Sequence, residues 1–243
     1  MAFATIINVG QQLATDCRIS SLSSIPAIFS YADLETPPWD YGGPPIDIPA
    51  GAAHRFSFGF IPYGPMAPTD VQLSFKCANT EPAPIIPGVN TFLFSVSATP
   101  VADIVAMAVT LSNDGIVNIP GANGTGAFAV ATVNVGVSGI ITASAHTGSV
   151  TLPVNIFLCQ TEPGTGQCTS AIDSTVMTTI NANARPTFAI FVQGNGNVPF
   201  DPAGNRVFVQ FTDSSGVNRG LTSVAVRTSD PCPPEACCGC WDY

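Results

Sequence analysis

Ile48-Pro49-Ala50-Gly51-Ala52, followed by Phe56-Ser57-Phe58, returns 132 residues later as Ile180-Asn181-Ala182-Asn183-Ala184 followed by Phe188-Ala189-Ile190. Other matches keep the same order. Ile25-Pro26 with Phe29 and Tyr31 recurs as Leu152-Pro153 with Ile156 and Leu158, and Glu35 answers to Glu162. Val71, Leu73 and Phe75 return as Val207, Val209 and Phe211, while Gly88-Val89-Asn90 and Ser95-Val96 return as Gly216-Val217-Asn218 and Ser223-Val224. The offset stays between 126 and 136, a drift that loop insertions produce when two copies of one fold stand in tandem. What recurs is an apolar skeleton; nothing catalytic recurs with it.

The skeleton has a period of two. Phe56, Phe58 and Phe60 alternate with Ser57 and Gly59, and Val71, Leu73, Phe75 and Cys77 alternate with Gln72, Ser74 and Lys76. Phe92, Phe94, Val96 and Ala98 alternate with Leu93, Ser95 and Ser97. Such runs suit half-buried antiparallel strands. The second half offers runs at Phe128 to Val137, Ile140 to His146, Val150 to Leu158, Phe188 to Val192, Val207 to Phe211 and Leu221 to Val226. Between them stand Asn113-Asp114-Gly115, Gly121 to Gly126, Gly194 to Asn197 and Ser214-Ser215-Gly216, whose Gly and Asn tolerate positive φ. No segment keeps helical spacing. The expectation is an all-β chain of two tandem immunoglobulin-like β-sandwiches arising from an internal duplication: residues 1–100, residues 101–228, and a Cys/Pro-rich tail over 229–243.

The polar Pro-Ala-Gly turn at Pro49 to Gly51, the aromatic strand Arg55 to Phe60, the Pro-rich loop, the strand Val71 to Cys77 and the final strand Asn90 to Ala98 together resemble the Hydin/ASH-type and related immunoglobulin-like domains. These occur in tandem in bacterial surface and secreted proteins. The resemblance implies a spacer, adhesive module or filament unit, and it carries no shared catalytic residues.

The copies differ at their starts. Ala2-Phe3-Ala4 and Asn8-Val9-Gly10 match Ala127-Phe128-Ala129 and Asn134-Val135-Gly136, so Met1 falls opposite Gly126, whereas the second copy opens near Val101 with Ile104, Val105, Met107, Val109 and Leu111. The first copy therefore lacks a counterpart of about 25 residues. Either the chain is a piece of a longer protein or its first domain is built incomplete.

Charge is scarce. Seven Lys plus Arg against 16 Asp plus Glu give a net charge of -9, with Lys76 the only lysine. Phosphate neutralisation needs clustered cations, so nucleic acid and anionic membrane surfaces are not expected as partners. The most apolar run, Val101 to Leu111, is interrupted by Asp103 and is far shorter than the roughly 20 residues of a membrane-spanning helix. The first ten residues lack a basic start and a signal-like apolar stretch.

Eight cysteines fall into three groups. Cys17 and Cys77 align with about Ser144 and Asp213, and Cys159 and Cys168 align with about Ala32 and Tyr41. Cysteines gained or lost in pairs behave as disulfides, which predicts Cys17 to Cys77, Cys159 to Cys168, and an oxidising compartment outside the cytosol or at the cell surface. The alternative is buried free thiols. Cys232, Cys237, Cys238 and Cys240 in the tail are open to local disulfides, intermolecular cross-links or docking onto a neighbour, or a metal; their spacing is too cramped for the paired knuckles of a structural zinc site.

No nucleophile, base or metal set assembles from the sequence. His54 and His146, the two histidines, read as surface or strand-end residues, and no G-x-S-x-G, H-E-x-x-H or Walker sequence occurs. Gly121 to Gly126 joins strands, and Asn123-Gly124-Thr125 is formally a glycosylation sequon. Asn195, Asn197, Asp201 and Asn205 could offer oxygens to calcium, although one carboxylate is thin support. Lys76 faces solvent by its alternation, which argues against an isopeptide cross-link. Trp39, Tyr41 and Tyr63 lie in Pro-rich loops and could contact a glycan or a protein. The expectation is a non-enzymatic extracellular or cell-surface protein without cofactor or metal: a filament subunit or adhesin stalk that self-associates. The alternative is a carbohydrate-binding or other recognition module with a glycan or surface-protein partner.

Overall fold

Apolar residues at every second position, punctuated by Pro, Gly and Asn, fold into sixteen strands and no helix among the described residues. The computed structural model describes residues 2–35, 43 and 45–229. It forms two compact units, Met1–Ala98 and Thr99–Tyr243.

Unit 1 contains β1 (Ala2–Ile7), β2 (Ala14–Ser21), β3 (Ala27–Asp33), β4 (Ile46–Ile48), β5 (Ala53–Pro62), β6 (Met66–Lys76) and β7 (Thr91–Val96). One sheet has the order β1-β5-β3 and the other β4-β2-β6-β7. Unit 2 contains β8 (Ile104–Thr110), β9 (Ile116–Pro120), β10 (Thr125–Asn134), β11 (Gly139–His146), β12 (Val154–Thr161), β13 (Thr175–Ile180), β14 (Thr187–Gly194), β15 (Arg206–Asp213) and β16 (Asn218–Ser229). Its sheets have the orders β12-β14-β10-β8 and β13-β11-β15-β16-β9. That is the constant-type immunoglobulin sandwich with two additions: β13 beside β11, and β9 parallel to β16. The chain segment β8–β9 thus starts at the edge of one sheet and finishes at the edge of the other.

Each unit has its own core. Phe56, Phe58 and Tyr31 from one sheet meet Ile19, Val71 and Leu73 from the other in unit 1, while Phe188, Ile190, Leu158 and Val130 meet Ile141, Val207, Val209 and Phe211 in unit 2. The alternation of the sequence is therefore the inward face of two sandwiches. The structure adds strands that the apolar runs do not mark, among them the short β4, β9 and β13.

One hydrogen-bond hub occurs in both units. The Asn8 N–H donates to Ala52 O, the Gly51 N–H to Asn8 O, and the Asn8 side chain donates to Ile48 O (2.9 Å) and accepts from the Gly10 N–H (3.0 Å). In unit 2 the Asn134 N–H donates to Ala184 O, the Asn183 N–H to Asn134 O, and the Asn134 side chain donates to Ile180 O (3.0 Å) and accepts from the Gly136 N–H (3.0 Å). Gly51 and Asn183 both take positive φ, 71° and 62°, the conformation that Gly and Asn adopt most easily.

The ladder registers correct three alignments. Ala2 pairs with Phe58 and Phe128 with Ile190, so Ala2 corresponds to Phe128, and Phe3 does not. Phe3 is 70% exposed while Phe128 is buried. Val71 pairs with Phe92 and Val207 with Val224, which places Phe92, and not Val96, at the position of Val224. Ile19 pairs with Phe75 and Ala143 with Phe211, so the counterpart of Cys17 is Ile141 and not Ser144. Each slip has one cause. Alternating sequence scores well in several registers, and only the ladder distinguishes them.

Candidate functional site

The units part company on one side. In unit 2, β8 pairs antiparallel with β10, from Phe128↔Thr110 to Asn134↔Ile104, and β9 pairs parallel with β16, from Ala225↔Ile116 to Ser229↔Pro120. In unit 1 the corresponding strands β1 and β7 each have a ladder on one edge, to β5 and β6, and no described strand on the other. The hub records the same difference. Asn134 Oδ1 also accepts the Asp103 N–H at the start of β8 (3.1 Å), and among the described residues no bond of that kind reaches Asn8 Oδ1.

The residues lining this open side differ in size between the units. Phe60 stands where unit 2 has Val192, Phe94 where it has Val226, Phe92 where it has Val224 and Phe29 where it has Ile156. The four rings form one group around Phe60, which lies 5.0 Å from Phe94, 5.2 Å from Phe29 and 6.0 Å from Phe92, centroid to centroid. All four are only half-buried, whereas Val192, Val224 and Val226 are closed off. An apolar strip between two backbone edges that no described strand pairs is a surface on which another strand can lie.

A second cluster sits at one end of the β1-β5-β3 sheet. His54 Nε2 lies 2.6 Å from Asp33 Oδ1, its Nδ1 lies 3.4 Å from Glu35 Oε2, and Arg55 Nε donates to Glu35 Oε1 at 3.2 Å. The His54 and Asp33 side chains are both largely buried, so of the two sequence readings His54 is the strand-end residue, second in β5, and not the surface one. Pairing of β3 with β5 sets Asp33 opposite Phe56, two residues from His54, so the cluster exists only once that register is known. Both ring nitrogens face carboxylates, and the contact from Nε2 to Asp33 Oδ1 is a hydrogen bond. Beside it, the Tyr31 hydroxyl donates to Gly43 O (2.6 Å), and burial pushes the phenol up.

The remaining sequence candidates divide clearly. Cys17 is bonded to Cys77 and Cys159 to Cys168, with S–S distances of 2.02 and 1.94 Å. Tyr63, in the connection between β5 and β6, is 72% exposed. Trp39, Tyr41 and the tail cysteines Cys232, Cys237, Cys238 and Cys240 lie outside the described residues. His146 stacks on Phe208 and its Nδ1 accepts the Gly148 N–H. Three of the four residues considered for calcium are engaged internally: Asp201 Oδ1 accepts the Ala203 and Gly204 N–H groups, Asn205 Nδ2 donates to Pro199 O, and Asn197 Oδ1 accepts the Thr228 hydroxyl. Among the described residues, no group of three His, Cys, Asp or Glu is placed to hold a metal ion. Likewise, no described helix is long and apolar enough to cross a membrane.

Neither a protein-family model nor a curated protein matches the sequence. Among solved structures, the chain is similar to the N-terminal domain of PorA (11% identity, TM-score 0.30, covering 52% of this chain and 99% of that one). It is similar to BcpA, the major pilin subunit of Bacillus cereus (11% identity, TM-score 0.28, covering 90% and 70%). It is also similar to the CupB6 tip adhesin of Pseudomonas aeruginosa (8% identity, TM-score 0.30, covering 90% and 86%).

Proposed function

We propose that this chain is a non-enzymatic structural protein of the cell surface or extracellular space, a filament subunit or adhesin stalk, whose unit 1 takes an added strand along the outer edges of β1 and β7. The observation that carries this is the contrast between the units. The same strand order and the same asparagine hub appear twice, yet β8 and β9 cover β10 and β16 while β1 and β7 keep open outer edges among the described residues. Strand addition supplies main-chain hydrogen bonds for affinity, and repeated head to tail it generates a filament. Two disulfides suit an oxidising compartment. A charge-poor chain, with Val105 and Met107 exposed on the uncharged edge strand β8, favours association. The Hydin/ASH-type pattern of turn and strands agrees with a spacer or filament role.

The test is the assembly state of the native protein, by light scattering and negative-stain microscopy. Filaments or defined oligomers with slow amide exchange along β1 and β7 support the reading. A monomer at high concentration, with those same edges slow to exchange, refutes it, because the chain's own residues would then close unit 1. The recognition-module alternative draws on the exposed Tyr63 ring and predicts retention on a glycan array that Tyr63→Ala removes.

A further inference from the structure

An edge strand presents a row of backbone N–H and C=O groups that its own sheet does not use, and proteins often cover such a row with a loop. In unit 2, β12 is an edge strand, paired with β14 alone in its sheet. Residues 162–173 leave its end through a tight turn and fold back along its outer side as a strap. The Leu158 N–H donates to Asp173 O (2.8 Å), the Asp173 N–H to Leu158 O (3.1 Å) and the Thr169 N–H to Gln160 O (2.7 Å). The Glu162 N–H donates to Gln167 O (2.9 Å), and the Gln160 N–H to the Ser170 hydroxyl (2.9 Å). The second half of β12 is thereby sealed.

The strap has almost no apolar anchorage. Every residue from 162 to 173 is exposed except the half-buried Ser170, Ile172 is 57% exposed, and none of the twelve belongs to the core of unit 2. A segment with so few buried contacts, held by hydrogen bonds at the surface, opens at low free energy. What ties it down is the covalent bond from Cys168 to Cys159. Cys159 follows the core residue Leu158, so the alternation of the strand turns it to the outer face of the sheet. Phe157, on that same face, is 38% exposed, yet Cys159 is 0% exposed. Joined to Cys168, it is closed off beneath the strap.

The two disulfides differ in access. Cys17 and Cys77 are 0% and 5% exposed, so a thiolate reaches them only when unit 1 opens, whereas Cys168 is exposed on the strap. We propose that residues 162–173 are a redox-released strap: the Cys159–Cys168 bond keeps the outer edge of β12 shut, and its reduction by a dithiol opens that edge while the sandwich stays folded. A thiolate of the dithiol attacks Cys168 Sγ, the S–S bond breaks, and Cys159 leaves as a thiolate that takes up a proton. The second thiol of the dithiol then attacks the mixed disulfide and releases Cys168, so two electrons pass from the dithiol, which ends as a disulfide, to the protein, which ends with two thiols. An oxidising compartment keeps the edge covered, and a reducing one uncovers it.

The test treats the full chain with dithiothreitol under native conditions, alkylates free thiols at intervals for peptide mapping, and follows amide hydrogen exchange. Cys159 and Cys168 are expected to be alkylated about tenfold sooner, or more, than Cys17 and Cys77. As they open, exchange at the Leu158, Gln160, Glu162, Thr169 and Asp173 amides is expected to speed up by about tenfold or more, with the amides of β14 and β15 still protected. A Cys168→Ser chain, which lacks the bond without any reductant, is expected to show the same exchange pattern. Reduction of Cys17–Cys77 first or together with Cys159–Cys168 overturns the inference. So does strap protection that survives loss of the bond in both the reduced and the Cys168→Ser chain, or loss of protection in β14 and β15 along with the strap, which would make the bond a prop of the whole sandwich. The filament reading of unit 1 fails separately, on the assembly state of the native protein.

Discussion

Replacing the two hub asparagines with alanine should cost the two units very different amounts. Asn134 is fully buried and its side chain makes four hydrogen bonds: it donates to Val137 O (2.8 Å) and Ile180 O (3.0 Å), and it accepts from the Asp103 (3.1 Å) and Gly136 (3.0 Å) N–H groups. At about 1 kcal/mol for each bond, with a further penalty for buried groups left unpaired, Asn134→Ala should lose at least about 4 kcal/mol. Asn8 makes three such bonds, to Gln12 O, Ile48 O and the Gly10 N–H, and two of them are exposed enough for water to take over. Asn8→Ala should therefore lose about 1 kcal/mol. Urea denaturation gives the loss, and amide exchange at Asn8 and Gly51, or at Asn134 and Asn183, assigns it to a unit. Losses equal within about 1 kcal/mol would refute the argument, because the hub would then owe nothing to β8. With a strand bound to unit 1, the cost of Asn8→Ala should rise toward that of Asn134→Ala.

Non-reducing peptide mapping should recover Cys17 with Cys77 and Cys159 with Cys168; their sequence separations of 60 and 9 imply that reduction costs about 4 kcal/mol in unit 1 and about 3 kcal/mol in unit 2, and free alkylation of Cys17 or Cys159 without reductant would contradict the pairing. Phe211→Ala should lose about 3 to 5 kcal/mol by denaturation, and the half-buried Phe75 less, so equal losses would show that its side is closed. His54→Ala should destabilise unit 1 by about 2 kcal/mol through its buried carboxylate partner, while His146→Ala, which removes an exposed ring stacked on Phe208, should change stability by less than about 0.5 kcal/mol; denaturation curves of equal midpoint for the two variants would dismiss the His54 cluster as a structural element. Burial pushes the Asp213 carboxyl up, but hydrogen bonds from Val217, Arg219 and Ser215 and the Arg219 charge outweigh it and hold the group below its ordinary value. A depressed carboxylate stabilises the fold above its unfolded pKa and loses that contribution as pH falls through the folded one. Acid titration of Asp213→Asn should accordingly show a shallower loss of unit 2 stability below about pH 4, and an unchanged slope would dismiss the group.

Alternation of Phe56, Phe58 and Phe60, or of Val207, Val209 and Phe211, was enough to establish strands, inward faces and a sandwich class, because a period of two has one physical meaning in a half-buried sheet. The recurrence of Ile48 to Ala52 as Ile180 to Ala184 likewise located the hub turns from residue types alone. Register was beyond its reach. Phe3 and Phe128 look equivalent in sequence, yet one is exposed and the other buried, since a slip of one residue turns a strand over. The open side of unit 1 and the His54 cluster belong to the same class: Phe60 faces Phe94 across the two sheets, and His54 meets Asp33 across a ladder. Contacts between residues distant in the chain depend on which edges pair and which stay free, and that is decided only when the sheets close on one another.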